Sequence, residues 1–333
     1  MRPLSLKRAR SLLGAMRGRA LVVVGDVMLD EFIWGQVTRV SPEAPVPVVA
    51  VTRESQHVGG AGNVARNVRA LCGEALLVGV VGRDAAAQRI LSELEAAGVR
   101  AALVAAEDGR PTTVKTRIIA HQQQIVRADR ECTDAVGAAV ERALVARVLE
   151  SLPGSAGVVV SDYQKGVVTP RVMRAIVQAA RRRHLPVLVD PKVRHFRLYR
   201  HATLVTPNQQ EAEQAAGLRI RSEADLAAAA ARLIKMLACQ GLLITRGEQG
   251  MSLFRPGHRP AHVPTFAREV YVVTGAGDTV VATLALALAA GARVEEAALL
   301  ANCAAGVVVA KVGTATASPA EVLAAVGEVA AQA

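Results

Sequence analysis

Thr274-Gly275-Ala276-Gly277-Asp278-Thr279 runs directly into an apolar stretch, and this junction carries the strongest chemical signal in the chain. Two glycines permit a tight turn in which consecutive amide hydrogens face one point. A helix starting there adds its positive end, so Gly275, Ala276 and Gly277 form a candidate anion hole for a phosphoryl group in transfer. Asp278, in the first helical turn, lies beside that hole as a candidate base for the proton of an attacking hydroxyl. On local chemistry alone, a plain helix cap accounts for Asp278 equally well. The segment is not a P-loop, and G-x-x-x-x-G-K-[ST] occurs nowhere in the chain.

Three further segments place polar residues where ligands of α/β proteins sit. Gly59-Gly60-Ala61-Gly62-Asn63 opens a helix; its bare backbone admits a ligand closely and Asn63 can hydrogen-bond hydroxyls. Taken alone, tight packing at a helix start is the simpler account, and the spacing is not the dinucleotide G-x-G-x-x-G. Gly25-Asp26-Val27-Met28-Leu29-Asp30 ends the first strand pattern, where two carboxylates are candidates for polyol hydroxyls unless one serves only a turn. Thr206-Pro207-Asn208-Gln209-Gln210-Glu211 leads from a strand into a helix. Asn208 and Glu211, three apart on one helix face, could hold Mg²⁺ or its waters, or could simply form a capping box.

These segments need a scaffold, and the hydrophobic pattern describes one. Apolar runs at Ala20–Gly25, Ala75–Val81, Gly157–Ser161, Pro186–Asp190, Ala202–Val205 and Gly241–Thr245 read as buried strands. Between them, helical patterns cover Asn63–Leu71, Ala85–Ala97, Ala135–Ser151, Pro170–Arg183, Gln209–Ala216, Glu223–Ala238, Gly277–Ala290 and Val294–Lys311. Continuous apolar strands alternating with helices predict an α/β fold with a mostly parallel sheet covered on both faces. Residues 31–54 and 112–129 break this rhythm with prolines and polar alternation, and predict a small β-flap that covers a site or pairs with another subunit, or else two ordinary hairpins. Nothing in the composition divides the 333 residues, so one domain with its flap is expected.

Composition narrows the function classes. The net charge of +11 comes from 34 Arg and six Lys among 40 basic residues, scattered rather than clustered. The one tight run, Arg181-Arg182-Arg183-His184, falls at a predicted helix C-terminus, where cations suit the dipole. With aromatics at 2%, a stacking nucleic-acid surface is not expected, whereas a phosphorylated small molecule would use the same positive field. Cys72, Cys132, Cys239 and Cys303 form no CxxC pair, which disfavours a zinc site or disulfide framework and fits a reducing compartment. The basic N-terminus is followed by too short an apolar run for a signal peptide, and Val280 to Ala292 is too short to span a bilayer. A cytoplasmic protein without a membrane partner is expected.

Taken in order, Gly-Gly…Asn, Asn-x-x-Glu and Gly-Ala-Gly-Asp make the chain resemble the ribokinase (PfkB-type) family of sugar kinases along nearly its whole length. That resemblance implies a ribokinase-like three-layer α/β/α fold with a β-flap lid, and phosphoryl transfer from Mg-ATP. It implies Asp278 as base, Gly275–Gly277 as anion hole, and Asp30, Gly60 and Asn63 at the sugar. It also implies Asn208 and Glu211 at the Mg-phosphate site, with Thr245, Arg246, Gly247, Glu248 and Asn302 near the nucleotide. Val40–Val49, Gln122–Gln124, Ser161–Gly166, Val189–Lys192 and Lys311–Ala315 resemble the heptose 7-phosphate kinases within that family. On this resemblance the anomeric hydroxyl of D-glycero-β-D-manno-heptose 7-phosphate is the acceptor, Lys192 assists the transfer and Lys165 meets the sugar phosphate. The product serves lipopolysaccharide core synthesis, and two subunits pair through the flap. No H-x-G-H nucleotidyltransferase motif follows, so a stand-alone kinase is expected. Three positions depart from the pattern. Val272 replaces a usual carboxylate, which puts a monovalent cation in doubt; Val193 stands where Gly is common, and Gly62 where Ala is expected. The alternatives are a kinase of another sugar or a nucleoside, and a catalytically silent ligand-binding relative.

Overall fold

The computed structural model describes residues 4–121, 123–266, 275–311 and 315–332. Its main sheet has nine strands, in the spatial order Ala261–Val263, Met251–Phe254, Gly241–Thr245, Leu204–Val205, Val187–Asp190, Gly157–Ser161, Ala20–Gly25, Glu74–Val78 and Arg100–Ala101. The first two run antiparallel at one edge and the rest are parallel.

Strand alternation sends consecutive side chains to opposite faces. Val22, Val24, Val158, Val160, Val187, Val189, Leu242 and Ile244 join the core built with helices Ala138–Ser151, Pro170–Arg182, Gln209–Ala216 and Glu223–Leu237. Leu21, Val23, Val159, Leu188 and Leu243 join the core on the other face, with helices Leu6–Met16, Ala61–Ala70, Ala85–Ala96, Ala276–Ala289, Val294–Val309 and Pro319–Gln332. Two cores separated by one sheet make the expected three-layer α/β/α sandwich. Among the described residues no helix is long and apolar enough to cross a membrane.

The two segments that broke the pattern belong to one smaller sheet rather than to separate hairpins. Val27–Val40 pairs antiparallel with Pro47–Gly60 and parallel with Thr113–Ala120, which pairs antiparallel with Gln123–Arg130. The flap is therefore longer than expected, covering 27–60 and 113–130. Pro42 and Pro45 fall in the turn, and Pro47 opens the second strand, positions that tolerate a missing amide hydrogen. Helices Leu6–Met16 and Pro319–Gln332 and the two antiparallel edge strands were not expected. The first is capped by Ser5 and tied to the core by Arg8, whose guanidinium meets Glu296 at 3.1 Å, a long-range pairing that local sequence does not display. The helices expected from Asn63 and Gly277 begin at Ala61 and Ala276.

The seam between the two sheets lies at Gly25-Asp26, where a Cβ on Gly25 would run into the Ser161 carbonyl. Backbone has little room to yield, so Gly25→Ala is expected to destabilise the fold by roughly 1–3 kcal/mol, as overpacking does. The measurement is the urea midpoint at unchanged m.

Candidate active site

Asp278 sits in the first turn of Ala276–Ala289, behind Gly275 at φ +86°, a left-handed conformation that glycine adopts without strain. The cap residue, Gly275, has no side chain to close the helix end. Asp278 Oδ2 accepts from Asn63 Nδ2 at 2.8 Å and Oδ1 from the Tyr163 hydroxyl at 3.0 Å. Asn63 is oriented in turn by packing of its helix on Ala276–Ala289, where Asn67 donates to the Asn63 carbonyl and Thr279 Oγ1 donates to Asn67 Oδ1. Asp278 is 3% exposed. Burial pushes its carboxyl up to about 7; the Asn63 and Tyr163 hydrogen bonds oppose that, Asp30 adds to it and Lys192 counters it. Gly277 is exposed, and among the described residues a Cβ there would meet nothing within 4 Å; the first helical amides beside it have no helical acceptor.

Lys192 follows the strand Val187–Asp190 and connects this carboxylate to the next helix. Its Nζ lies 2.5 Å from Glu211 Oε1 and 5.4 Å from the centre of the Tyr163 ring. Burial, the largest single influence, works against its charge, but the Glu211 hydrogen bond and the charges of Glu211, Asp190 and Asp162 together outweigh it and raise its pKa. Asp190 is pushed well above the usual carboxylate range, first by burial and then by the charge of Asp278. The Lys192 amide donates to the Tyr199 hydroxyl at 3.0 Å, and that hydroxyl donates to Asp162 Oδ2 at 2.7 Å.

Asn208 and Glu211 make the capping box: Glu211 N donates to Asn208 Oδ1 and Asn208 N to Glu211 Oε2. Glu211 thus has one oxygen on the helix cap and the other on Lys192. An oxygen donor so engaged fits Mg²⁺ held through water and phosphate oxygens rather than by direct ligation. Among the described residues no group of three or more His, Cys, Asp or Glu could hold a metal ion directly. Asn208 also lines a pocket of about 500 Å³ with Gln209, Gln210, Thr245, Arg246, Gly247, Glu248 and Gln249. Five residues expected at the nucleotide therefore share one cavity, and Arg246 holds Glu223 and Gln249 at its rim, each at 2.7 Å. Asn302 is not among them; its amide donates to the Pro264 carbonyl at 2.7 Å.

Asp30 lies on the first flap strand and pairs with Arg117 at 2.6 Å. Gly59 leaves room for the Asp30 carboxylate and Gly60, at φ +58°, for the Asp26 carbonyl, so the glycine run serves close packing. Lys165 has its ammonium on Glu131 at 2.8 Å, which occupies the charge expected for a sugar phosphate. Thr274 and Val272, and with Val272 the monovalent-cation question, lie outside the described residues, as do Gln122 and residues 312–314. Sequence reasoning named Ser161–Gly166 and Val189–Lys192 as segments of resemblance but did not single out Tyr163, Asp190 or Asp162 for the site. Each ends or follows a buried strand, a second signal.

Comparison with known proteins bears on the fold and the family. The chain is 48% identical over 321 residues to the protein named bifunctional protein HldE of Geobacter metallireducens, covering 96% of this chain and 66% of that one. It spans less than two thirds of the length of such relatives, between 62% and 66%. Phosphofructokinase-2 from Escherichia coli superposes with a TM-score of 0.78 at 21% identity, covering 94% of this chain and 99% of that one. Arabidopsis thaliana ribokinase gives 0.72 at 19% identity, over 93% and 99%. At such identities these two likenesses show the fold alone, which is ribokinase-like. The pattern described as pfkB family carbohydrate kinase matches residues 19–321, so the chain belongs to that family.

Proposed function

We propose that the protein transfers the γ-phosphoryl group of Mg-ATP to the anomeric hydroxyl of D-glycero-β-D-manno-heptose 7-phosphate. The observation that carries this reading is a buried carboxylate, Asp278, held on both oxygens beside a glycine turn at a helix start. The choice of sugar is supported by the segments at Val40–Val49, Ser161–Gly166 and Val189–Lys192, which resemble heptose 7-phosphate kinases. Asp278 accepts the hydroxyl proton as the hydroxyl oxygen bonds to the γ-phosphorus; the bond to the β–γ bridging oxygen breaks and ADP leaves. The Gly275–Gly277 amides meet the developing negative charge, and Lys192 assists from its position near Tyr163. The pocket lined by Asn208, Thr245, Arg246, Gly247 and Glu248 takes the nucleotide, and Asp30, Gly60 and Asn63 lie on the sugar side. Mg²⁺, held through water near Asn208 and Glu211, would neutralise phosphate charge.

The reading treats the chain as one kinase domain with the flap as its lid, working in the cytoplasm where ATP is drawn upon. It includes a homodimer paired through the flap, supported by Val51, Ile125 and Val126, which the flap leaves exposed.

Asp278→Asn is expected to lower kcat by about 10²–10⁴-fold, the usual worth of a positioned base. ATP affinity, measured by calorimetry, should stay close to that of the wild type; retention of turnover in a coupled ADP assay rules the mechanism out. Because the base must be ionised and its carboxyl is held at about 7, kcat is expected to climb through that pH and level off above it. Across phosphorylated heptoses and common sugars, ADP release should be greatest with heptose 7-phosphate, whereas a preference for fructose, ribose or adenosine would reassign the substrate.

A further inference from the structure

The segment from Asp162 to Val167 places a non-glycine residue in the left-handed region. Gln164 stands at φ +57° and Gly166 at φ +86°, and a Cβ at Gly166 would run into the Asp134 carbonyl. A non-glycine residue in the left-handed region costs energy and persists only where the surroundings over-determine it. Here they do. The buried Asp26 carboxylate accepts three backbone hydrogens from this loop: Tyr163 N at 2.7 Å and Lys165 N at 3.0 Å on Oδ2, and Val167 N at 3.1 Å on Oδ1. Asp162 Oδ1 accepts the Gln164 amide at 2.8 Å, and Arg110 reaches the Lys165 carbonyl at 2.7 Å. Burying a carboxylate is costly unless it is well hydrogen-bonded. The outcome of this bracing is one contact, the Tyr163 hydroxyl on Asp278 Oδ1 at 3.0 Å.

We infer that Tyr163 is a positioning residue for the base, with Asp26 as the brace that fixes the loop presenting it. This rests on the reading of Asp278 as the base. A carboxylate with one oxygen on Asn63 and the other on Tyr163 cannot rotate, so the lone pair that takes the proton keeps one direction. The Tyr163 hydroxyl also stabilises the ionised form, because it donates to it. The other groups that face Asp278 are Asp30 from the flap, Asp190 and Lys192 from the end of the neighbouring strand, and Asn63 from the preceding helix.

Tyr163→Phe removes the donor and leaves the ring over which Lys192 sits. It is expected to lower kcat roughly tenfold, the worth of one hydrogen bond to a charged group, with the KM values for ATP and sugar within about twofold of wild type. The acid limb of the kcat profile should move to higher pH, since the charged carboxylate loses a donor. An unchanged kcat and an unchanged limb in the folded variant overturn the inference while leaving the kinase reading intact. A readout independent of turnover is carbon NMR titration of the Asp278 carboxyl, assigned by its loss in Asp278→Asn. In Tyr163→Phe that carboxyl should titrate at higher pH than in wild type even if no sugar proves to be a substrate, and an identical titration overturns the inference. Asp26→Asn, which leaves only one acceptor oxygen for three amides, should reproduce the shift in part at a lower melting temperature. A melting temperature and Asp278 titration both equal to wild type would remove Asp26 as the brace.

Discussion

A carboxylate withdrawn from water must be held by donors, and the C-terminal edge of this sheet carries several such groups. Asp26, Asp162 and Asp278 are at most 3% exposed. Each is satisfied differently: Asp26 by backbone amides, Asp162 by His195, Tyr199 and a backbone amide, and Asp278 by Asn63 and Tyr163. Burial lifts two of these carboxyls, Asp26 to about 6 and Asp278 to about 7, and of the two Asp278 is the one in the first turn of a helix. Burial of this kind is one way in which a fold holds a carboxyl near neutral pH.

The two-sheet architecture follows from the same edge. The first strand ends at Gly25-Asp26 and the chain passes at once into the flap, so the backbone that closes the active site is continuous with the backbone that floors it. Gly25, Gly59 and Gly60 are the residues at which strands, the Asp30 carboxylate and the Asp26 carbonyl approach too closely for a side chain. The flap residue Asp30 lies within electrostatic reach of Asp278.

Structural and functional readings of one residue need not compete. Asn208 and Glu211 form the capping box that their spacing fits, yet Glu211 also holds Lys192, and Asn208 lines the pocket shared with Thr245–Glu248. The cap fixes the rotamers, and fixed rotamers allow a polar group at a helix start to face a ligand at low entropic cost. Lys165 went the other way: its ammonium is committed to Glu131, within a cluster that also takes Lys115.

The alternation of apolar strands and helices was legible along the chain because it is local, and so were Asp278 with its glycine turn and the Asn208–Glu211 pair, whereas Thr245–Glu248 were picked out by resemblance alone. Those features depend on backbone freedom, helix ends and spacing, which neighbours in sequence dictate. The helices Leu6–Met16 and Pro319–Gln332, the strand order and register within the flap, and the partners of Asp278 were not legible. Arg8 meets Glu296 across 288 residues, Met28 on the flap strand meets Thr113 across 85, and Tyr163 meets Asp278 across 115. Such pairs are selected by burial and hydrogen bonding in the assembled sheet, so the sequence supplied the carboxylate and the tertiary structure decided what holds it.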